Sequence, residues 1–261
     1  MSHVLAVIPA RFSSTRFPGK PLAALGNGTM LEEVWRRTSE AARIDTLVVA
    51  TDDERIAHAA RRFGAETVMT SADHASGTDR AAEVLRNRSE RFEIVLVIQC
   101  DEPLLTGSCL DRLIGCFDGT PPDLATLSEP LVDVEELFDP NVVKVVLDGR
   151  GRALYFSRSP LPYHRGKATR LDPDFRSALA VRSGGLTGYL KHQGLYAYSR
   201  KALLELTRME PSSLERDEGL EQLRALQAGY TIRVIESDFR SFAVDTPEDL
   251  ERVATMLTEA N

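Results

Sequence analysis

Residues 4–20, VLAVIPARFSSTRFPGK, decide the fold. The first half is a short apolar run of buried-strand type that breaks off at a proline. The second half is a polar loop carrying Arg11, Arg16 and Lys20. Outward from this stretch, strand-like and helix-like segments alternate. TMLEEVWRRTSEAAR (29–43) has helical spacing at Met30, Val34 and Trp35, DTLVVAT (45–51) reads as a strand, and DDERIAHAARRF (52–63) as a helix with an acidic start. A strand at AETVMT (65–70), a helix at GTDRAAEVLRNR (77–88) and a strongly apolar strand at FEIVLVIQ (92–99) follow. Such alternation predicts an α/β fold, a mostly parallel sheet covered by helices on both faces.

The second half is less regular. NVVKVVLD (141–148) and RALYFS (152–157) predict a hairpin, and a polar stretch near 165–188 reads as a surface loop or arm. HQGLYAYS (192–199) resumes as a strand. SSLERDEGLEQLRALQAG (212–229) is expected to be helical, YTIRVIES (230–237) a strand, and TPEDLERVATML (246–257) a final helix.

Composition narrows the function. The chain has 261 residues, 43% hydrophobic and 27% charged, enough for one large α/β domain or two small ones. A formal net charge of -7 argues against a general nucleic-acid or anionic-membrane surface, while leaving room for a local anion site. Cys100, Cys109 and Cys116 lack metal-site spacing and read as reduced thiols. No apolar run approaches the ~20 residues of a membrane span. With a strand beginning almost at the N-terminus, a soluble cytoplasmic protein is expected.

In an open α/β sheet, ligands sit beyond the carboxyl ends of the strands, which nominates the loops after residues 9, 70, 99 and 244. The first loop has three cations and Ser13, Ser14 and Thr15 at irregular spacing, suited to wrapping phosphate oxygens. It matches neither a Walker A loop nor GxGxxG, and a solvated basic loop is the plainer alternative. Asp101 and Glu102 follow a buried strand, where a carboxylate can hold Mg²⁺ or simply form an acidic turn. At 244–249, Thr246, Pro247 and Asp249 fit a helix N-terminus, which leaves Asp245 either a second Mg²⁺ ligand or a turn former. Ser76, Gly77 and Thr78 open a helix with Arg80 one turn inside, a place for phosphate or a base carbonyl, or merely a cap. Together the loops point to a nucleoside triphosphate with Mg²⁺. Phosphoryl chemistry needs mainly positioning and charge neutralisation, and no nucleophile–base motif appears.

The segments IPARFSSTRFPGKPL, ATDDERI, SGTDRAAEV, QCDEPLL, VKVVLD, ALYFSRSPLP, LEQLRAL and VDTPEDLERV, within a match that runs in order from residue 4 to about 253, resemble the 3-deoxy-manno-octulosonate (Kdo) cytidylyltransferases of lipopolysaccharide assembly. The resemblance implies transfer of CMP from CTP to the anomeric hydroxyl of Kdo. It implies a three-layer α/β/α sandwich of nucleotide-diphospho-sugar transferase type, built as one domain over 1–261, and a homodimer with an arm around 143–198 at its interface. It further implies that Arg11, Arg16 and Lys20 face the triphosphate, that Asp101 and Asp245 bind Mg²⁺, and that Ser76 to Arg80 with Gln99 hold the nucleotide. Arg158, His192, Tyr196, Glu221 and Gln222 correspond to the sugar pocket. Two residues depart from the pattern: Cys100 stands where glycine is usual, and Gln193 where an apolar residue is common. These departures bear on which acidic sugar is used. A related enzyme for 8-amino-Kdo or a sialic acid is the alternative, and RFPGKP (16–21) favours the Kdo type. A glycosyltransferase of similar fold should carry a DxD-like motif, which CDEP (100–103) is not. A catalytically silent nucleotide-binding module should have lost Lys20, Asp101 or Asp245.

Overall fold

The computed structural model describes residues 2–13, 16–163 and 186–259. The segment 164–185, which holds most of the polar stretch near 165–188, lies outside the described residues. The chain divides into two compact units: 1–123, 195–208 and 238–261 form the first, 124–194 and 209–237 the second.

In unit 1 the chain begins with strand β1 (Val4–Ala10), then the two-residue strands β2 (Ala24–Leu25) and β3 (Gly28–Thr29), and helix α1 (Met30–Ser39). Strand β4 (Thr46–Thr51), α2 (Glu54–Arg62), β5 (Glu66–Met69), α3 (Gly77–Arg86), β6 (Ile94–Val97) and α4 (Gly107–Gly115) follow. Helix starts obey local rules. Thr29 caps α1 by accepting from the Glu32 amide at 3.2 Å, and acids lead while Arg36 and Arg37 trail, which suits the macrodipole.

Strands β6, β1, β4 and β5 are hydrogen-bonded in that spatial order, all parallel. The crossovers β1–α1–β4 and β4–α2–β5 step one way across the sheet. The crossover β5–α3–β6 steps back past β1. With right-handed crossovers this reversal puts α3 on the face opposite α1 and α2, so both faces are covered as the alternation predicts. It also makes the gap between β1 and β6 a topological switch point, where ligands bind in such sheets. The C-terminal half of β10 (Leu190–Ser199) adds an antiparallel strand on β6, which makes the sheet mixed but mostly parallel.

The first strand covers the whole apolar run VLAVIPA: β1 continues through Pro9, paired opposite Ala50, to Ala10. The β1–β6 ladder ends at Val7–Val97, so Pro9 lies beyond the reach of β6 and its missing N–H costs no ladder bond on that side.

Unit 2 contains β7 (Leu124–Pro130), parallel to β11 (Ile232–Glu236), and the expected hairpin of β8 (Lys144–Leu147) and β9 (Ala153–Ser157). The N-terminal half of β10 pairs with β8. Helix α5 (Val134–Phe138) contributes Leu137 to a small core with Leu131 and Tyr189. The continuous helix expected over 212–229 is two short ones, Ser213–Glu218 and Gln222–Gln227. Gly219, at φ 62°, closes the first in the left-handed conformation that glycine adopts without a Cβ penalty.

Candidate active site

The loops after β1, β6 and residue 244 meet around Lys20. A left-handed Gly19 and a short 3₁₀ turn at Lys20–Leu22 send the side chain inward, to 13% exposure. Its ammonium donates to Asp101 Oδ2 at 2.7 Å and to the Val244 carbonyl at 2.8 Å, and lies 3.5 Å from Asp245 Oδ1. Arg16 Nη2 reaches the same Asp245 oxygen at 3.1 Å. A main-chain bond from Val244 N to Asp101 O, 2.9 Å, holds the two acidic segments side by side.

Neighbouring groups fix that register. Ser241 Oγ lies 2.7 and 2.8 Å from the two oxygens of buried Glu102 and donates to that carboxylate. Asp238 accepts from Thr106 at 2.8 Å and from Ser108 at 2.6 Å. Thr246 and Asp249 form the expected helix cap. Asp249 Oδ2 accepts from the Thr246 amide at 3.0 Å and from the Asp245 amide at 3.1 Å, so the Asp245 carboxylate is left to face Lys20.

A cavity of about 780 Å³ opens here, within the usual range for a ligand site. Arg11, Arg16, Lys20 and Arg80 line it against the carboxylates of Asp101 and Asp245. Ser76, Gly77, Gln99 and Cys100 also line it, together with Phe12 and His74. Thr78 is buried and does not line it. Among the described residues Arg11 has no carboxylate partner, so the cavity keeps an excess of cation in an acidic protein. Such a concave cationic surface attracts an anion.

Two candidate nucleotide residues have structural duties as well. Ser76 makes a full capping box with Asp79, accepting from its amide at 3.1 Å. Arg80 is almost fully buried, bonded to Thr70 Oγ1 and 3.3 Å from Asp52 Oδ1. What the α3 terminus still offers is backbone: the first amides of a helix have no intrahelical acceptor. Gly77 keeps that backbone low, since a Cβ there would lie 2.8 Å from Pro9 Cγ. His74 bonds Glu83, whose carboxyl is held below its ordinary range chiefly by the Ser71 amide and then by His74.

The donor set fits a hard divalent cation. Two carboxylates converge on one ammonium-sized point, and among the described residues no three potential ligands cluster, here or elsewhere, so a cation at this point would take its remaining ligands from substrate and water. Mg²⁺ takes one or two protein carboxylates and completes its shell with substrate phosphates and water.

Cys100 is buried in the cavity wall. Burial foremost, and then the Asp101 charge, push its thiol far above its ordinary range, against a smaller downward pull from Lys20. It stays a thiol at neutral pH and is no nucleophile. Treatment with iodoacetamide at pH 7 is expected to leave turnover within about twofold, as is Cys100→Ser. A large loss of turnover in Cys100→Ser itself would place the thiol in the chemistry, whereas an alkylation loss that Cys100→Ser prevents would show only that an adduct there blocks the cavity.

The sugar-pocket candidates divide between the units. In unit 2, Arg158 Nε donates to the Glu218 carbonyl at 2.7 Å and Nη1 to Pro140 O at 2.8 Å, beside the turn that leads into Glu221 and the buried Gln222. Buried Lys144 fixes the Arg158 carbonyl at 2.6 Å, with Val142 and Asp139 carbonyls as further acceptors. His192 Nε2 is 3.0 Å from Thr126 Oγ1, and its ring meets the Phe156 ring edge-on at 4.9 Å. Tyr196 belongs to unit 1, where it pairs with Val97 in the sheet.

Burial pushes His192 down to about 3, so it presents a neutral imidazole at neutral pH. The sign follows from linkage. The unfolded histidine, near its ordinary 6.5, binds a proton that the folded one refuses, so stability is full above pH 6.5 and falls as pH drops toward 3. By pH 5 the loss is about 2 kcal/mol at the one-proton slope. Urea midpoints of wild type and His192→Gln at pH 7 and 5 test this: the wild type should lose more on acidification, and equal losses would refute it.

Sequence reasoning missed Phe12, Asp52 and the Glu102–Ser241 contact. Phe12 carried a signal, an aromatic in a loop otherwise rich in cations and hydroxyls; the others are visible only once distant segments meet.

Residues 5–234 match the family model described as cytidylyltransferase. A 3-deoxy-manno-octulosonate cytidylyltransferase from Solibacter usitatus is 48% identical over 97% of this chain and 94% of its own length. A protein of the same name from Syntrophotalea carbinolica is 48% identical over 97% of this chain and 98% of its own. Among solved structures, a CMP:2-keto-3-deoxy-manno-octonic acid synthetase complexed with CTP superposes with a TM-score of 0.86 at 37% identity, covering both chains completely.

Proposed function

The chain belongs to the 3-deoxy-manno-octulosonate cytidylyltransferase family, and from that premise we propose how its own residues transfer CMP from CTP to the anomeric hydroxyl of Kdo. The sugar oxygen attacks the α-phosphorus, a new O–P bond forms, the α–β bridge breaks, and pyrophosphate leaves. The observation that carries this reading is the pairing of Asp101 and Asp245 on Lys20 beside unneutralised Arg11, at the switch point of the sheet.

Arg11, Arg16 and Lys20 take the triphosphate, neutralising its charge as the bridge oxygen becomes pyrophosphate. The α3 terminus at Ser76, Gly77 and Thr78 supplies backbone donors, Arg80 stiffens it from below, and exposed Gln99 offers its amide to the base. Asp101 and Asp245 would hold Mg²⁺, which when bound shields the phosphates and lowers the barrier to attack. One of the same two carboxylates accepts the hydroxyl proton. Arg158, His192, Tyr196, Glu221 and Gln222 are the residues proposed to read the sugar's hydroxyls and carboxylate. The family resemblance is what supports a homodimer and a cytoplasmic role in lipopolysaccharide synthesis. Among the described residues no helix is long and apolar enough to cross a membrane.

Pyrophosphate release from CTP and Mg²⁺, assayed in parallel with Kdo, 8-amino-Kdo and N-acetylneuraminate, tests the proposal. Release with Kdo supports it, release only with another sugar keeps the chemistry and changes the acceptor, and no release with any of the three overturns it.

A further inference from the structure

We propose that Phe12 and Arg55 form a latch that holds the cationic loop after β1 in its anion-receiving shape, acting as positioning residues for CTP. The inference rests on the reading of the unit 1 cavity as the CTP site and adds to it two residues outside that site's cations and carboxylates.

Arg55 stands at the second position of α2, where a cation opposes the helix macrodipole. The acid of that first turn is its neighbour Glu54, the counterpart of Glu32 and Glu33 in α1 and of Asp79 in α3. A residue that breaks a local rule in this way points to a duty elsewhere. Its side chain is 61% exposed, yet its direction is fixed. Asp53, the N-cap, accepts from the Arg55 amide at 2.9 Å, from Nε at 3.0 Å and from Nη2 at 2.6 Å. Held in that way, the guanidinium carbon lies 3.4 Å from the centroid of the Phe12 ring, a cation–π contact.

Phe12 passes this restraint to the loop. Its carbonyl accepts from the Gly19 amide at 2.9 Å, and its ring carbons Cε2 and Cζ lie 3.1 Å from where a Gly19 Cβ would stand. Gly19, at φ 74°, is thus closed against the ring and open to no other residue type without strain. Arg11 precedes Phe12 and Lys20 follows Gly19, so one contact sets the main chain of both cations. Phe12 itself lines the cavity; Arg55 does not, and it acts only through the ring.

The test compares Arg55→Met, Phe12→Leu, the double variant and Phe12→Tyr with wild type, reading KM for CTP, kcat, calorimetric CTP affinity and the thermal midpoint. Each single change should raise KM and weaken CTP binding roughly fivefold, the scale of one cation–π contact. Turnover should stay within about twofold, since no reacting atom is touched. The double variant should match a single one, because both changes break one contact, and Phe12→Tyr should keep wild-type KM. Unchanged KM in Arg55→Met, multiplying effects in the double variant, or a fall in kcat at constant KM would overturn the latch. A wild type that releases no pyrophosphate fails the functional reading instead. Calorimetry then judges the latch alone: weaker CTP binding in Arg55→Met supports it, and equal or no binding overturns it.

Discussion

Asp101→Asn and Asp245→Asn are each expected to lower pyrophosphate release from CTP and Kdo by about 10²-fold or more, the scale of removing one charge aimed at a reacting phosphate. The substitution is nearly isosteric, and the fold around it survives. The Val244–Asp101 link is main chain to main chain, and the Asp245 amide keeps its bond to Asp249. Lys20 and Arg16 can still meet an amide oxygen where the carboxylate stood. What disappears is negative charge and a proton acceptor. A second readout separates two explanations. If the carboxylates served only to neutralise Lys20 and Arg16, removing one would tighten CTP binding in the absence of a divalent cation and leave turnover close to normal. On the proposed roles, turnover collapses while CTP binding without the cation stays level or tightens. Near-normal turnover in Mg²⁺ for both variants would remove these residues from the chemistry.

How far the site was legible depends on the range over which each feature is set. The alternation that predicts the sheet is local, and the strands and helices from β1 to β6 follow it. The loop after β1 was legible because cations accumulate directly behind a buried strand, and Asp245 because the helix cap at Thr246, Pro247 and Asp249 leaves it without a structural duty. Less legible was β7. Its sequence LATLSEP buries Thr126, Ser128 and Glu129 along with its apolar residues, so neither a period of two nor an apolar run marks it. The break at Gly219 was hidden by good helix formers on both sides, and left-handed geometry overrode their propensity. The structural duty of Arg80 was hidden in the sequence because its partners, Asp52 and Thr70, come from two other loops.

An acidic chain can concentrate cations at 11–20 because distant carboxylates fold back onto them. Each of Arg16 and Lys20 is matched by a carboxylate brought from more than eighty residues away, while Arg11 is not matched among the described residues. The site is therefore poised: partly neutralised, so that the loop folds without heavy self-repulsion, and still positive enough to draw in a polyphosphate. The Phe12 contact with Arg55 adds a restraint that depends on stacking instead of on charge at the site itself.

Lys20→Met should cost about 10²- to 10³-fold in turnover, because one ammonium serves two acidic segments and the incoming triphosphate at once. Methionine keeps the apolar stem of the side chain and lacks only its terminal atom, so most of the packing at this mostly buried position is retained. Lost are the donors to Asp101 at 2.7 Å and to the Val244 carbonyl at 2.8 Å, together with the charge facing Asp245. Lys20→Arg should rescue poorly, leaving turnover down by about tenfold, since a planar fork cannot place its donors around one point as an ammonium does. A binding measurement distinguishes this role from a structural one. With the ammonium gone, Asp101 and Asp245 have lost a competing cation, so Mn²⁺ should bind Lys20→Met more tightly than wild type when no nucleotide is present. CTP, deprived of a counter-charge, should bind more weakly. Turnover within about threefold of wild type would sink the assignment. So would Mn²⁺ affinity that falls in step with the thermal midpoint, because Lys20 would then be holding the loop together and taking no part in the transfer.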